Sequence, residues 1–356
     1  MREILKRNSL IGYISYSFAS IIEKLPYKPF HPFHDLEMIV TDKKLNFKTL
    51  RFNDLVNSIR KLVSSNEFNS FKVNRALENK NKEEFERDVY KVKKYILKGE
   101  AFQVVISRRY EINFDGSLIE PFLNLVLINP SPYMYYLKFG DRRIIGASPE
   151  TLFRIKNGIL ETFPIAGTRH RSNKVEEDLR LLKELQNSLK DYAEHSMLVD
   201  LARNDVGKVS EIGTVKVSYY RKIKKYSHVQ HIVSKVTGKL RKGLDSIDAL
   251  EALFPAGTVS GAPKIRAMEL IDSIEKYPRG PYAGVVGIIN QNQLTDLAIT
   301  IRSIFSYNNT AYIQAGAGIV FDSDPTSEYY ETEYKMKAAF GLSVIRLHVF
   351  KHLDIS

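Results

Sequence analysis

The last third of the chain carries three period-two runs, residues 282–290, 294–307 and 310–321, joined at Gln291-Asn292 and Asn308-Asn309. Apolar and polar residues alternating over such lengths, linked by two residues, predict neighbouring antiparallel strands, because a parallel crossover needs a dozen residues or more. Asn157-Gly158, between the runs 152–155 and 159–162, is the strongest two-residue hairpin signal. Residues 102–114 read as another strand, and residues 11–18 and 37–40 as short apolar runs around Pro26, Pro29 and Pro32.

Helical spacing separates these groups. Phe85, Val89, Val92 and Ile96 share one face behind the polar run 79–84, and Gly99 closes that helix at C′. From Val175, Leu179, Leu182, Leu185 and Leu189 predict one helix running through Glu194 towards Leu201. Ser246 is expected to cap a short helix ending at Pro255, Pro263 to open another at its first position, and residues 325–340 to form the last. Antiparallel strand series with helices between them argue an α+β fold.

With 356 residues, 44% of them hydrophobic, the chain can bury one large core or two packed ones. No segment approaches the ~20 apolar residues of a membrane helix, and residues 1–9 lead into no signal-peptide pattern, so no membrane role and a cytoplasmic location are expected. The 53 Lys+Arg against 41 Asp+Glu, a net charge of +12, are spread along the chain, which predicts no nucleic-acid partner. Clusters such as residues 222–225 read as solvated surface. The absence of cysteine excludes thiolate zinc sites, iron–sulfur ligation and a Cys nucleophile, so any glutamine hydrolysis by a Cys–His pair must happen elsewhere.

The run 193–205 holds too many ionisable groups for a plain core helix, and Glu328, Glu331 and Lys335 fall on one face of the last helix. Two helices offering carboxylates suit one hard cation such as Mg²⁺, with solvated glutamates as the alternative. Residues 257–264 are no Walker A loop, since Ile265 follows Lys264, and Gly316-Ala317-Gly318 lacks the third glycine of a dinucleotide fingerprint. Those glycines suit close approach of backbone N–H groups to an anion, or a β-bulge. Arg302, read as sharing a strand face with Thr300 and Ala298, is a candidate carboxylate-binding group. His228 and His231 offer either a metal pair or a capping or core histidine. Together these residues describe an enzyme acting on a small polyanion through Mg²⁺.

Residues 84–342 resemble the chorismate-utilising enzymes, most closely the large subunits of anthranilate synthase, through residues 102–105, 146–150, 164–169, 194–205, 255–264 and 314–320. The resemblance implies two packed antiparallel β-sheets flanked by helices, with chorismate and Mg²⁺ between them. It makes Glu194 and Glu331 the metal ligands. Tyr282, Arg302 and the amides around Gly316, Ala317 and Gly318 would hold the enolpyruvyl carboxylate, with Gln103, Gly167, Thr168, Thr258 and Lys335 in the pocket. Glu150 matches the general acid for the departing 4-hydroxyl, a role needing a raised pKa, and His231 the histidine of the elimination.

Isochorismate and salicylate synthases of the family place a water-activating Lys at the position of Gln103, and aminodeoxychorismate synthases a Lys nucleophile at that of Ala166. Neither residue here can do those jobs, so free ammonia from a glutamine amidotransferase subunit, and anthranilate as product, are implied. An aminodeoxychorismate synthase, another chorismate-utilising enzyme or a silent chorismate-binding paralogue is the alternative. The resemblance divides the chain into a partial N-terminal region, residues 1–75, a catalytic domain, 76–345, and a tail, 346–356. Strands that precede residues 12–16 in the family, with the Leu-Leu-Glu-Ser element of its tryptophan site, have no counterpart. The other wall of that site matches Asn129, Pro130, Pro132, Tyr133 and Met134, so weakened feedback inhibition is expected.

Overall fold

The computed structural model describes residues 1–26, 28–42, 54, 57, 71–128, 130–225, 229–290 and 294–340. Its strands are β1 (Ser9–Ile14), β2 (Leu36–Thr41), β3 (Lys72–Glu78), β4 (Gln103–Asp115), β5 (Tyr133–Phe139), β6 (Arg142–Ser148), β7 (Thr151–Lys156), β8 (Ile159–Thr162), β9 (Ile165–His170), β10 (Lys216–Lys225), β11 (Val229–Lys239), β12 (Gly261–Ala262), β13 (Val285–Ile289), β14 (Leu294–Ile299), β15 (Ser303–Tyr307) and β16 (Thr310–Ile319). Its helices are α1 (Arg2–Leu5), α2 (Phe18–Glu23), α3 (Lys82–Leu97), α4 (Ile119–Ile128), α5 (Val175–Asn187), α6 (Leu189–Val209), α7 (Ser246–Leu253), α8 (Lys264–Ile274) and α9 (Pro325–Phe340).

The described strands form two antiparallel sheets. One has nine strands in the order β10-β11-β8-β7-β14-β13-β1-β2 with β9 beside β11, and the other seven in the order β12-β4-β16-β15-β6-β5 with β3 beside β4. In the largest core, Tyr13, Val286 and Ala298 of the first sheet face Ile144, Phe305 and Tyr312 of the second, while Phe153, Leu297 and Ile299 pack on the other face of the first sheet under α6 and α7. The outer face of the seven-stranded sheet is closed by α4 and α9 around Ile112, Ile145 and Met336, and by α3 and α8 around Phe85, Ile106 and Ala267. This is the α+β class that the strand and helix pattern predicts, in the arrangement of two packed, helix-flanked sheets that the family resemblance implies.

Local signals act as expected at the hairpin, where Asn157 and Gly158 both have positive φ, and at α3, which Asn81 and Glu84 open with a reciprocal capping box. Four expectations are corrected. The helix expected from Val175 to beyond Glu194 is two, because Ser188 takes an extended conformation and its hydroxyl accepts from the Asp191 N–H to start α6. Leu179 and Leu189 consequently face solvent, and Asp178, Leu181 and Leu185 form the buried stripe. Asp245 rather than Ser246 caps α7, since its carboxylate accepts from two first-turn N–H groups. Pro263 sits at the cap of α8, one residue before its first turn.

The fourth correction places the site. The run 294–307 is two strands in different sheets: β14 pairs with β13 and β7, β15 with β16 and β6. The chain changes sheets at Thr300–Arg302, and Arg302 takes φ 51°, outside the range of regular extended backbone. A second crossing, Pro149–Glu150 between β6 and β7, runs alongside it. Ser148 Oγ donates to the Ile299 carbonyl at 2.6 Å, Ile299 N to the Glu150 carbonyl at 3.0 Å and Ala147 N to the Arg302 carbonyl at 3.2 Å. The two crossings open a cleft between the sheets, and each delivers one charged side chain to it. His228, the Gln291-Asn292 turn, Asn129 and the tail 346–356 lie outside the described residues.

Candidate functional site

Because β15 leaves the sheet at Ser303, it pairs with β16 only over Thr310–Ile313. On that side residues 314–319 have no strand neighbour among the described residues, which leaves main-chain groups facing the cleft. The Gly316 carbonyl accepts from Lys335 Nζ at 2.9 Å, and that ammonium also pairs with Glu331 Oε1 at 2.7 Å. A Cβ on Gly316 would stand 2.9 Å from the Tyr282 hydroxyl, and one on Gly318 would overlap Gln103 Nε2, so glycine is required at both for the neighbours to close in. Ala317 turns its methyl the other way, fully buried with Ile319 and Ala267, and has only its main chain to offer the cleft.

Arg302 supplies the positive end. Its guanidinium makes no hydrogen bond or ion pair with any described residue, and burial lowers its pKa against the pull of Tyr334 and Glu150. A withdrawn cation without a carboxylate partner is a receptor for an anion. Beside it, burial pushes the Glu150 carboxyl up to about 7, opposed by the Thr258 hydroxyl, Lys335 and Arg302. Thr258 Oγ1 is buried without a close hydrogen-bond partner among the described residues, and Glu150 is the carboxylate it acts on. Burial, and then the charge of Arg302, push His231 down to about 4, so the imidazole is neutral. Its Nδ1 lies 2.9 Å from Thr168 Oγ1 and 3.4 Å from the Gly167 carbonyl. Gly167 itself has φ 64° and bulges β9 around that contact.

The negative end is built from two helices. Gln103 Nε2 donates to Glu194 Oε1 at 3.0 Å. Burial raises the Glu194 pKa, Gln103 moderates this, and the charges of Glu331 and Asp191 raise it further. For Glu331, whose side chain is 47% exposed at the mouth, desolvation opposes ionisation, but the Lys335 ammonium, with Lys190 behind it, more than offsets this and holds the group below its usual value. Glu328 is nearly buried and raised, by burial first and then by Glu331. Two hard-oxygen groups that repel each other across a cleft fit Mg²⁺, which binds through one or two carboxylates and fills its shell with water and substrate oxygens. Among the described residues, no three acidic or histidine side chains gather around one point.

The site thus brings together Gln103, Glu194, Glu331, Lys335, Gly316, Gly318 and Tyr282 on one side, and Glu150, Thr258, Arg302, His231, Thr168 and Gly167 on the other. The segment Pro130, Pro132, Tyr133, Met134 is elsewhere, at the start of edge strand β5, where the Tyr133 hydroxyl bonds Thr151 Oγ1 and Asp296 Oδ1, each at 2.7 Å.

Sequence reasoning missed three buried supports. Arg108 binds Glu333 and Glu78 and so fixes α9 to the sheet. Arg279 joins Glu275 to the carbonyls of Val259 and Val105 beneath Tyr282. Lys264 spans Asp205 and the Leu253 carbonyl, which accounts for the lysine of the rejected phosphate loop. An Arg108-Arg109 pair inside an apolar strand was the one visible signal.

A family model described as chorismate binding enzyme matches residues 2–341. The anthranilate synthase component 1 of Saccharolobus solfataricus is 48% identical over 339 residues, 94% of this chain and 80% of that one. The protein of the same description from Aquifex aeolicus is 52% identical over 257 residues, 72% of this chain and 52% of its own length. Against several such curated relatives the chain spans about half their length. Among solved structures, the anthranilate synthase component I of Streptococcus pneumoniae superposes with a TM-score of 0.77 at 36% identity, covering 94% of this chain and 80% of that one. The menaquinone-specific isochorismate synthase of Escherichia coli gives 0.72 at 25% identity, covering 82% and 68%. With these matches over a cleft that joins an unpaired guanidinium to facing carboxylates, the chain belongs to the chorismate-binding enzymes.

Proposed function

We propose that this chain is the chorismate-converting component of an anthranilate synthase, turning chorismate and ammonia into anthranilate, pyruvate and water. The observation that carries the reading is one cleft with two opposite receptors for carboxylate, the unpartnered Arg302 at one end and the Glu194–Glu331 pair at the other, and chorismate has two carboxylates to match. The anthranilate synthase relatives support the same choice.

In this reading Arg302, Tyr282 and the main chain at Gly316 and Gly318 hold the enolpyruvyl carboxylate. Glu194 and Glu331 hold Mg²⁺, which when bound supplies Lewis-acid attraction for the ring carboxylate. Glu150, with a pKa near 7, is protonated in about half the molecules at neutral pH and gives its proton to the departing 4-hydroxyl as the C2–N bond to ammonia forms. The C2 proton then leaves, the bond from C3 to the enolpyruvyl oxygen breaks, and the ring becomes aromatic. His231, neutral and oriented through Thr168, is placed to take that proton. Once a carboxylate neutralises Arg302, the repulsion that depresses His231 falls, so bound substrate raises its basicity.

Gln103 spends its amide on Glu194 and cannot activate water, and Ala166 offers a methyl where covalent catalysis needs an amine. Ammonia therefore reaches the cleft from a glutamine amidotransferase partner, with ammonium salts as its substitute, in the cytoplasm. Among the described residues no helix is long and apolar enough to cross a membrane.

Purified chain with chorismate, Mg²⁺ and ammonium salt is expected to develop anthranilate fluorescence, lost with EDTA and in Glu331→Ala. Chorismate consumed without fluorescence would replace this product by an amino- or hydroxy-chorismate, and chorismate left untouched would favour a silent paralogue.

A further inference from the structure

The polar row on the inner face of the seven-stranded sheet continues past the cleft. Register pairs Gly316 with Ser107 and Gln314 with Arg109, so all four face the same side. Arg109 and Gln314, 6% and 5% exposed, line a cavity of about 140 Å³ with Asn79, Lys80, Glu275 and Tyr277. Arg109 Nε and Nη1 and Gln314 Oε1 are buried without a hydrogen-bond partner among the described residues. The Arg109 guanidinium lies 4.8 Å from the Tyr277 ring centre and has no carboxylate bound to it, while Arg108 next to it in β4 has two. Cationic side chains outnumber acidic ones around the cavity, five to three.

Orphaned donors on a buried cation and an orphaned acceptor one ladder step across demand a ligand with both complements. A neutral water satisfies single groups and brings no anionic oxygen to a guanidinium held against the Phe30, Tyr277 and Tyr312 rings. We propose that this cavity binds a small oxyanion that also carries an O–H donor, the anionic oxygens on Arg109 and the donor on Gln314 Oε1. Hydrogen phosphate and 2-hydroxycarboxylates share that chemistry.

The cavity is wired to the cleft. Gln314 Nε2 donates to Ser107 Oγ and Ser107 Oγ to Glu275 Oε1, both at 2.7 Å. Glu275 holds Arg279, which bonds the Val259 carbonyl at 2.6 Å, next to Thr258, and lies 5.7 Å from the Tyr282 ring centre. Occupancy therefore alters the setting of two residues assigned to the substrate.

Calorimetric titration of the full chain without chorismate or Mg²⁺ tests this, using sodium phosphate, lactate, and pyruvate as the carboxylate lacking the donor, against sodium chloride at equal ionic strength. Expected is one site for phosphate or lactate, at least tenfold weaker for pyruvate and in Gln314→Leu and Arg109→Lys, and retained in Arg302→Met. Whichever of phosphate and lactate binds identifies the source, and its saturation shifts the chorismate KM at least twofold. No binding by either, equal binding in both cavity variants, or loss in Arg302→Met, which would put the anion in the cleft, overturns the proposal. A binding readout that needs no turnover keeps its failure separate from failure of the proposed reaction.

Discussion

Arg108 and Arg302 are both withdrawn from water, and their surroundings are opposite. Arg108 is fully buried between Glu333 and Glu78 and lies over the rings of Tyr110 and Tyr329. Burial works against its charge, and Glu333 more than restores it, so its pKa is raised. Arg302 has no such partner, and its pKa is lowered. One region spends its charge on itself and becomes rigid; the other keeps its charge available and becomes receptive. The two are linked, because the helix that Arg108 anchors through Glu333 is α9, whose other side carries Glu331 and Lys335 into the cleft.

Removing each charge should separate the roles. Arg108→Met leaves Glu333, 4% exposed, without its guanidinium and with only the Tyr110 hydroxyl and the Lys337 charge to answer it, and is expected to cost about 3 kcal/mol of folding stability in urea titration. Arg302→Met removes an unpaired buried cation, so melting temperature should hold or rise, while kcat/KM for chorismate falls by about 2–5 kcal/mol, roughly 30- to several-thousand-fold. Equal stability losses in the two variants would end the distinction between them.

The sequence made most of one region legible and little of the other. The strands of the cleft were visible in period-two alternation, and α9 in helical spacing. Arg302 was picked out from a strand geometry that it does not have: the apolar run 294–307 continues through the point where the chain changes sheets, and periodicity alone cannot register a residue with φ 51° that redirects it. Ser188 was similarly invisible within an apolar stripe, since its capping bond becomes decisive only once the two helices it separates, α5 and α6, both pack on β9. The Arg108 and Arg279 supports are each completed by a partner more than 150 residues away, Glu333 for the one and the Val105 carbonyl for the other, which no local pattern encodes.

Glu150 sharpens the receptive side. A carboxyl acting as acid from about pH 7 should make kcat/KM, referred to the free-ammonia fraction, fall about tenfold per unit as pH rises beyond 7. The sign follows from burial raising the pKa: the protonated, useful form is the one lost on the alkaline side. In Arg302→Met that limb should move to higher pH, because Arg302 is one of the groups pulling the Glu150 pKa down. A limb that stays in place in that variant would mean the group titrating is another one.

The smallest effect is expected at the negative end. Gln103 Nε2 is the hydrogen bond that moderates the raised pKa of Glu194. Gln103→Leu removes a bond to a charged group, about 1.5 kcal/mol, so the Mg²⁺ concentration for half-maximal activity should rise roughly tenfold at neutral pH. The rise should grow as pH falls, because a carboxyl with a higher pKa is protonated in more molecules and a proton competes with the metal. Arg302→Met, which touches the other carboxylate receptor, should leave half-saturation by Mg²⁺ unchanged. Calorimetric titration of Mg²⁺ into both variants reads this without turnover, and an unchanged affinity in Gln103→Leu would remove Glu194 from the metal and make its contact with Gln103 purely structural.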